Sequence, residues 1–101
     1  DPMEDLGWLC VKAWRFGATP PVGGFGEYED LFSAYAEAAG LPDGVDPDVV
    51  RWWEVLSTVK WGVMCIIQAA SHTRRVSRSV ELAAIGRRTC ENEHDVLALL
   101  P

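Results

Sequence analysis

The sequence has few basic residues and no long apolar run. Nine Lys and Arg stand against fifteen Asp and Glu, which gives 101 residues a formal net charge of -6 at pH 7. Nucleic-acid phosphates are bound by concentrated basic surfaces, so this balance argues against a nucleic-acid partner. The longest apolar run, WGVMCII at 61–67, is far shorter than the roughly 20 residues of a membrane span. We therefore expect no membrane insertion and, without a recognisable signal peptide, a cytoplasmic location.

Cysteine and histidine are also scarce. Cys10, Cys65 and Cys90 are odd in number, far apart and without a CxxC spacing, so neither a disulfide framework nor a zinc site is indicated. They are expected to be buried thiols in a reducing compartment. His72 and His94 lack neighbours at metal-ligand spacing and are interpreted as surface or capping residues. No metal is expected in this segment.

Strand signals are absent, and helix signals recur instead. Asp1 and Pro2 provide a cap and a first helical residue, and Asp46 and Pro47 repeat that signature later in the chain. Gly40 is expected to end the second helix, and Ser77 or Ser79 to cap the last one. The Gly- and Pro-rich segment 17–27 is interpreted as a loop. The sequence thus predicts a single all-α domain of about four helices, at 2–16, 27–39, 47–72 and 79–100.

The third helix is predicted to be the longest and the central one. Its apolar residues recur at helical spacing and cover so much of the circumference that several neighbours should pack around it. The main stripe consists of Trp52, Leu56, Val59, Val63, Ile66 and Ala70. Four more residues widen it, namely Trp53, Val55, Met64 and Ile67. The polar remainder consists of Arg51, Glu54, Ser57, Lys60 and Gln68.

No set of residues forms a catalytic constellation by itself. Glu91, Glu93 and Asp95 alternate with other residues and should point in different directions on a helix, as solvated acids. Arg87 and Glu91 are spaced for an i,i+4 pair. The basic cluster at 74–78 is interpreted as a solvated loop. The residues alone indicate a helical binding or interaction domain.

The opening segment, DPMEDLGWL, resembles a motif of the aminoglycoside phosphotransferase and choline kinase-like family. In that family a G-D-P-x-x-D-L sequence begins a helix after a metal-binding acidic motif, and Asp1, Pro2, Asp5 and Leu6 match it. Three later segments are similar to the C-terminal part of bacterial phosphotransferases of this type. They are GGFGEYEDLFSAYAEAAG, RWWEVLSTVKWGV and SVELAAIGRRTCENEHDVLALL.

The resemblance implies the helical C-terminal subdomain of a protein kinase-like fold, as a fragment of a larger enzyme. The parent enzyme would use ATP and Mg to phosphorylate a hydroxyl of a small-molecule acceptor. Its catalytic H-G-D-x-x-x-x-N loop and its D-W-E metal motif are not in these residues. Phosphoryl transfer depends on such positioned groups and metal ions, so we expect that the isolated chain neither binds ATP and magnesium nor transfers phosphate.

The resemblance also suggests roles for individual residues. Asp5 corresponds to an acid that braces the catalytic loop; the alternative is an ordinary residue at the edge of an amphipathic helix. Trp53, Glu54 and Trp61 are candidates for the wall of the acceptor pocket, because aromatic faces and an acid suit cationic substrates. For Trp53 and Trp61 a core position is an equal alternative, whereas Trp52 is expected in the core.

A free-standing helical interaction module without catalysis, either monomeric or dimeric, is the second hypothesis. Met3 as a start residue would fit it. A fragment separated from a partner lobe should expose an apolar patch and could self-associate through it. The acceptor stays open among sugars, aminoglycosides, choline-like amines and other hydroxyl compounds, because a fold does not specify its substrate.

Overall fold

The computed structural model describes all 101 residues and is mostly helical, which confirms the predicted all-α class. It contains five α-helices and one 3-10 helix. No strand forms, and the β pairing consists of one isolated antiparallel bridge between Val22 and Gly26. None of the helices is long and apolar enough to cross a membrane. The elements are α1 (Pro2–Cys10), the 3-10 helix (Lys12–Arg15), α2 (Tyr28–Ala39), α3 (Pro47–Thr73), α4 (Val80–Gly86) and α5 (Thr89–Leu99).

The chain divides into two compact units, Asp1–Ser57 and Thr58–Pro101. The first contains α1, the 3-10 helix, α2 and the beginning of α3. The second contains the rest of α3 with α4 and α5. The sequence patterns did not indicate this division, since α3 continues through the boundary without a break.

The starts of α1, α3 and α4 follow the predicted signals. The Asp1 side chain accepts a hydrogen bond from the Met3 amide at 2.9 Å, and Asp46 Oδ1 accepts one from the Asp48 amide at 2.9 Å. Of the two serine candidates, Ser79 caps α4 by accepting from the Leu82 amide at 3.4 Å. Each cap satisfies an amide that has no partner within its helix.

The prediction of a continuous first helix over 2–16 was wrong. Val11 has extended backbone angles, and this ends α1 at Cys10. The bend buries Val11 completely. Arg15 Nη2 then reaches back to the Cys10 carbonyl at 2.9 Å and satisfies an acceptor at the helix end. The first helix is thus replaced by α1 and a 3-10 helix.

The prediction of a continuous fourth helix over 79–100 was also wrong. It breaks after Gly86, where a Cβ atom would lie 2.3 Å from the Ala69 Cβ on α3. Thr89 Oγ1 donates to the Gly86 carbonyl at 2.9 Å and satisfies that acceptor at the break. The break also changes the predicted ion pair, because Arg88 and not Arg87 binds Glu91, at 3.1 Å over an i,i+3 spacing.

The predicted buried stripe of α3 was wrong as well. Trp52, Val59, Val63 and Ile66 are exposed, and so are Met64 and Ile67 from the set that widened it. The buried residues lie on the opposite side of the helix and include polar groups that the sequence placed in solvent. They are Val50, Glu54, Ser57, Thr58, Trp61, Gly62 and Cys65.

The predictions for cysteine and histidine hold in part. Cys10 and Cys65 are buried free thiols, but Cys90 is exposed. His72 has a capping role, because its Nδ1 accepts from the Ser79 amide at 3.0 Å, and His94 is exposed. The predicted solvated loop after α3 is confirmed by the exposure of residues 74–78.

Candidate functional site

A pocket of about 350 Å³ lies in the first unit, beside the start of α2 and the start of α3. Tyr28 and Phe32, one turn apart on α2, supply an aromatic pair whose ring centroids are 5.8 Å apart. The first three turns of α3 supply most of the remaining wall. The lining residues are Tyr28, Glu29, Phe32, Pro47, Asp48, Val50, Arg51 and Glu54.

The charges around this pocket are mostly acidic. Three carboxylates line it, from Glu29, Asp48 and Glu54, against one guanidinium, from Arg51. Glu29 and Asp48 are exposed, whereas Glu54 is only 1% exposed. A buried carboxylate needs partners to offset the loss of its hydration.

Two distant side chains satisfy the Glu54 carboxylate. Arg15 Nη2 donates to Glu54 Oε1 at 3.2 Å, and the Tyr28 hydroxyl donates to Glu54 Oε2 at 2.9 Å. The same Arg15 nitrogen donates to the Cys10 carbonyl at 2.9 Å. These bonds join the end of α1, the 3-10 helix, the start of α2 and the start of α3 around one charge. Opposite charge and hydrogen bonding together make such a contact stronger than a neutral one.

Burial shifts the protonation of this cluster. The pKa of Glu54 is raised above its ordinary value because burial disfavours the carboxylate, although Tyr28, Arg15 and Arg51 act in the opposite direction. Burial and the adjacent Glu54 raise the pKa of Tyr28, so its hydroxyl keeps the proton that it donates. The same two causes raise the pKa of Cys10 to about 12 and leave it a neutral thiol.

A close approach between α1 and α3 sets the position of Glu54. At Gly7 a Cβ atom would lie 2.6 Å from the Trp53 Cβ and 2.7 Å from the Glu54 amide nitrogen. Only glycine leaves room for this contact, which holds the α3 backbone at the depth where Glu54 meets its partners.

The structure separates the residues that the sequence proposed as a site. Glu54 lines the pocket, whereas Trp53 is half-buried outside it and contacts the Trp52 ring edge-on at 4.7 Å between centroids. Trp61 is buried in the second unit. Asp5 is exposed in the middle of α1. Their roles toward a substrate or a catalytic loop stay predictions.

The sequence did not indicate the other residues around Glu54. Arg15 and Tyr28 lie 39 and 26 positions away from it. Arg15 and Tyr28 reach Glu54 only in the folded chain, so no local sequence pattern predicts these contacts. One signal was available, since Tyr28 and Phe32 share a face of α2 by their i,i+4 spacing. No group of three or more His, Cys, Asp or Glu side chains is arranged to hold a metal ion.

Comparison with known proteins found no relative of this chain. No family model, curated protein or solved structure matches the chain. The likeness to phosphotransferases therefore stays a prediction that depends on the quoted segments.

Proposed function

We propose that the chain is the helical C-terminal subdomain of an ATP-dependent phosphotransferase that acts on a hydroxyl of a small molecule. In this proposal the pocket of the first unit holds the acceptor. The observation that supports it best is the acidic and aromatic pocket at Glu54, a residue that the resemblance had already suggested for acceptor binding. ATP, magnesium and the catalytic base would be held by residues outside this segment.

The lining chemistry favours an acceptor that carries a positive charge. Carboxylates of Glu29 and Asp48 at the pocket attract a cation, and the rings of Tyr28 and Phe32 offer faces to it. A cation over an aromatic face gains about 0.5–2 kcal/mol, depending on its exposure. Glu54 is already bonded to Arg15 and Tyr28, so it orients the Tyr28 hydroxyl and contributes a fixed negative charge.

Holding the acceptor still is the contribution that such a pocket makes to phosphoryl transfer. The reaction depends on positioning and charge stabilisation more than on covalent chemistry by the protein. Asp5 is exposed on α1, so its carboxylate is accessible to the catalytic-loop backbone that it is proposed to brace.

Neutralising the two exposed acids tests the pocket. We expect the double variant Glu29→Gln/Asp48→Asn to bind choline about three- to tenfold more weakly than the wild-type chain, because each exposed carboxylate contributes under about 1 kcal/mol. Isothermal titration calorimetry at low ionic strength measures the difference.

The matched control is Glu37→Gln/Asp43→Asn. These two acids are also exposed, do not line the pocket, and give the same change in net charge. We expect the control to bind choline like the wild type. Equal weakening in both double variants would show that overall charge, and not the pocket, governs binding.

A second candidate is a helical interaction module without catalysis. The exposed apolar side chains of α3 favour it, since such surfaces usually contact another protein. The coding sequence upstream of Asp1 distinguishes the two. An H-G-D-x-x-x-x-N loop followed by a D-W-E motif supports the phosphotransferase, and their absence supports the module.

A further inference from the structure

In the second unit, α3 packs against its neighbours on one side only. Trp61, Gly62 and Cys65 are buried, and Gly62 lies against Asn92 of α5. The opposite side, which we call the outer face, exposes large apolar residues that are 41% to 61% accessible. The outer face consists of Val59, Val63, Met64, Ile66 and Ile67.

The outer face continues into a groove of about 530 Å³ between α3 and α5. From α3 the groove is lined by Val59, Val63 and Ile66, and from α5 by Val96 and Leu97, among others. Leu97 is 72% exposed and lies beside the other apolar side chains of the groove. The exposed apolar residues therefore form one continuous surface that includes the groove, and they are not scattered singly.

We propose that a second copy of this chain covers the outer face, through a two-fold symmetric contact between the α3 helices. One edge of the outer face is a ridge formed by Lys60, Met64 and Ile67, at i, i+4 and i+7. The other edge is the groove beside α5. A two-fold axis that runs along two parallel α3 helices inserts the ridge of each copy into the groove of the other, so one surface is complementary to itself.

The charges at the two edges agree with this arrangement. Lys60 lies on the ridge, and Glu93 lines the groove. When a ridge enters the groove of the other copy, the two residues approach across the interface with opposite signs, twice by symmetry. Such pairs fix orientation and register more than they add affinity.

The area also suits a dimer. The five outer-face residues with Leu97 are about half exposed and present on the order of 500 Å² of apolar surface per copy, near the upper end for the largest patch on a monomer. A standard interface buries roughly 800 Å² per partner. The polar residues around the apolar patch would supply the area that the patch itself does not. The outer face thus provides the apolar centre of an interface of ordinary size.

Sedimentation velocity of the 101-residue chain over a wide concentration range tests this proposal. We expect a reversible monomer–dimer equilibrium in the wild type. Val63→Glu places a charge at the centre of the interface in both copies and should raise the dimer dissociation constant at least about a hundredfold. The matched control is Val80→Glu, at an exposed valine in the first turn of α4, and it should dimerise like the wild type.

The edge charges give a second test that does not depend on a buried position. Lys60→Glu and Glu93→Lys should each weaken the dimer about tenfold, and the double swap should restore most of the loss. A chain that stays monomeric at all concentrations, or a dimer that Val63→Glu leaves intact, would overturn the proposal. All residues of the acceptor pocket lie in the other unit, so choline binding succeeds or fails independently of this result.

Discussion

Replacing Arg15 with methionine is expected to lower the free energy of unfolding by about 3 kcal/mol or more at neutral pH. The variant removes the guanidinium that bonds Glu54 Oε1 at 3.2 Å and leaves a carboxylate with a 2% exposed side chain beside an apolar group. It also removes the donor to the Cys10 carbonyl. Methionine has much of the length of arginine, so the substitution removes the charge with only a small change in packing. Urea unfolding followed by tryptophan fluorescence measures the loss.

The loss should depend on pH in a definite direction. The folded-state pKa of Glu54 is already raised by burial, so the wild type loses stability as the pH rises from the ordinary value of 4.5 toward the raised one. Arg15 lowers the pKa of Glu54, and its removal raises that pKa further. Acidification protonates Glu54 and removes the buried negative charge that has lost the Arg15 guanidinium. We therefore expect the stability difference between wild type and Arg15→Met to be largest at neutral pH and to shrink toward pH 4.5.

Two controls isolate the ion pair. Lys12→Met removes an exposed positive charge from the same 3-10 helix and should change stability by less than about 1 kcal/mol, because exposed charge pairs contribute little. Adding Glu54→Gln to Arg15→Met should recover part of the loss and abolish its pH dependence, because the side chain at position 54 then carries no charge. Similar losses in Arg15→Met and Lys12→Met would contradict the role given to the buried pair.

Gly7→Ala is expected to destabilise the chain by about 2–3 kcal/mol through overpacking. The added methyl group would meet the Trp53 Cβ at 2.6 Å and the Glu54 amide nitrogen at 2.7 Å, and neither atom belongs to a flexible chain end. The α3 backbone must move away from α1 to relieve the contact. Because this shift moves Glu54 relative to Tyr28, we expect weaker choline binding as well as lower stability.

Gly62→Ala is the matched control for this variant. Gly62 is also helical, but its added Cβ would lie 3.4 Å from the Asn92 Cβ, which the neighbour can accommodate with a small shift. The gain in helix propensity, up to about 1 kcal/mol, then offsets the tight contact. Stability near or above that of the wild type is expected. Equal destabilisation by the two alanines would show that the α1–α3 contact has no special role.

Local signals predicted the starts of α1, α3 and α4 correctly. At Asp1 and at Asp46 the capping residue is followed directly by a proline. Such a start can be recognised from neighbouring residues without knowledge of the fold. The ends and breaks were harder to predict. Val11 ends α1 because its side chain enters the core, and the break after Gly86 coincides with its close approach to Ala69. Both features depend on tertiary packing contacts, which cannot be predicted from the local sequence.

The faces of α3 show a second limit of sequence patterns. Periodicity identified an apolar stripe, but burial follows the partners that are present, and those partners contact the other side of the helix. Glu54 is inside because Arg15 and Tyr28 meet it there. The resemblance named Glu54 for the acceptor site, while the residues that bond to it and shape the pocket emerged only from the fold.

The most direct test of the acceptor pocket compares choline with dimethylbutanol, its neutral isostere in which carbon replaces the nitrogen. Titration of the isotope-labelled chain with each compound, followed by amide chemical shifts, reports both affinity and location. The proposal predicts saturable shifts with choline at Tyr28, Phe32, Arg51 and Glu54, and binding by the neutral isostere at least about tenfold weaker. Equal responses to both compounds, or shifts confined to the second unit, would contradict it.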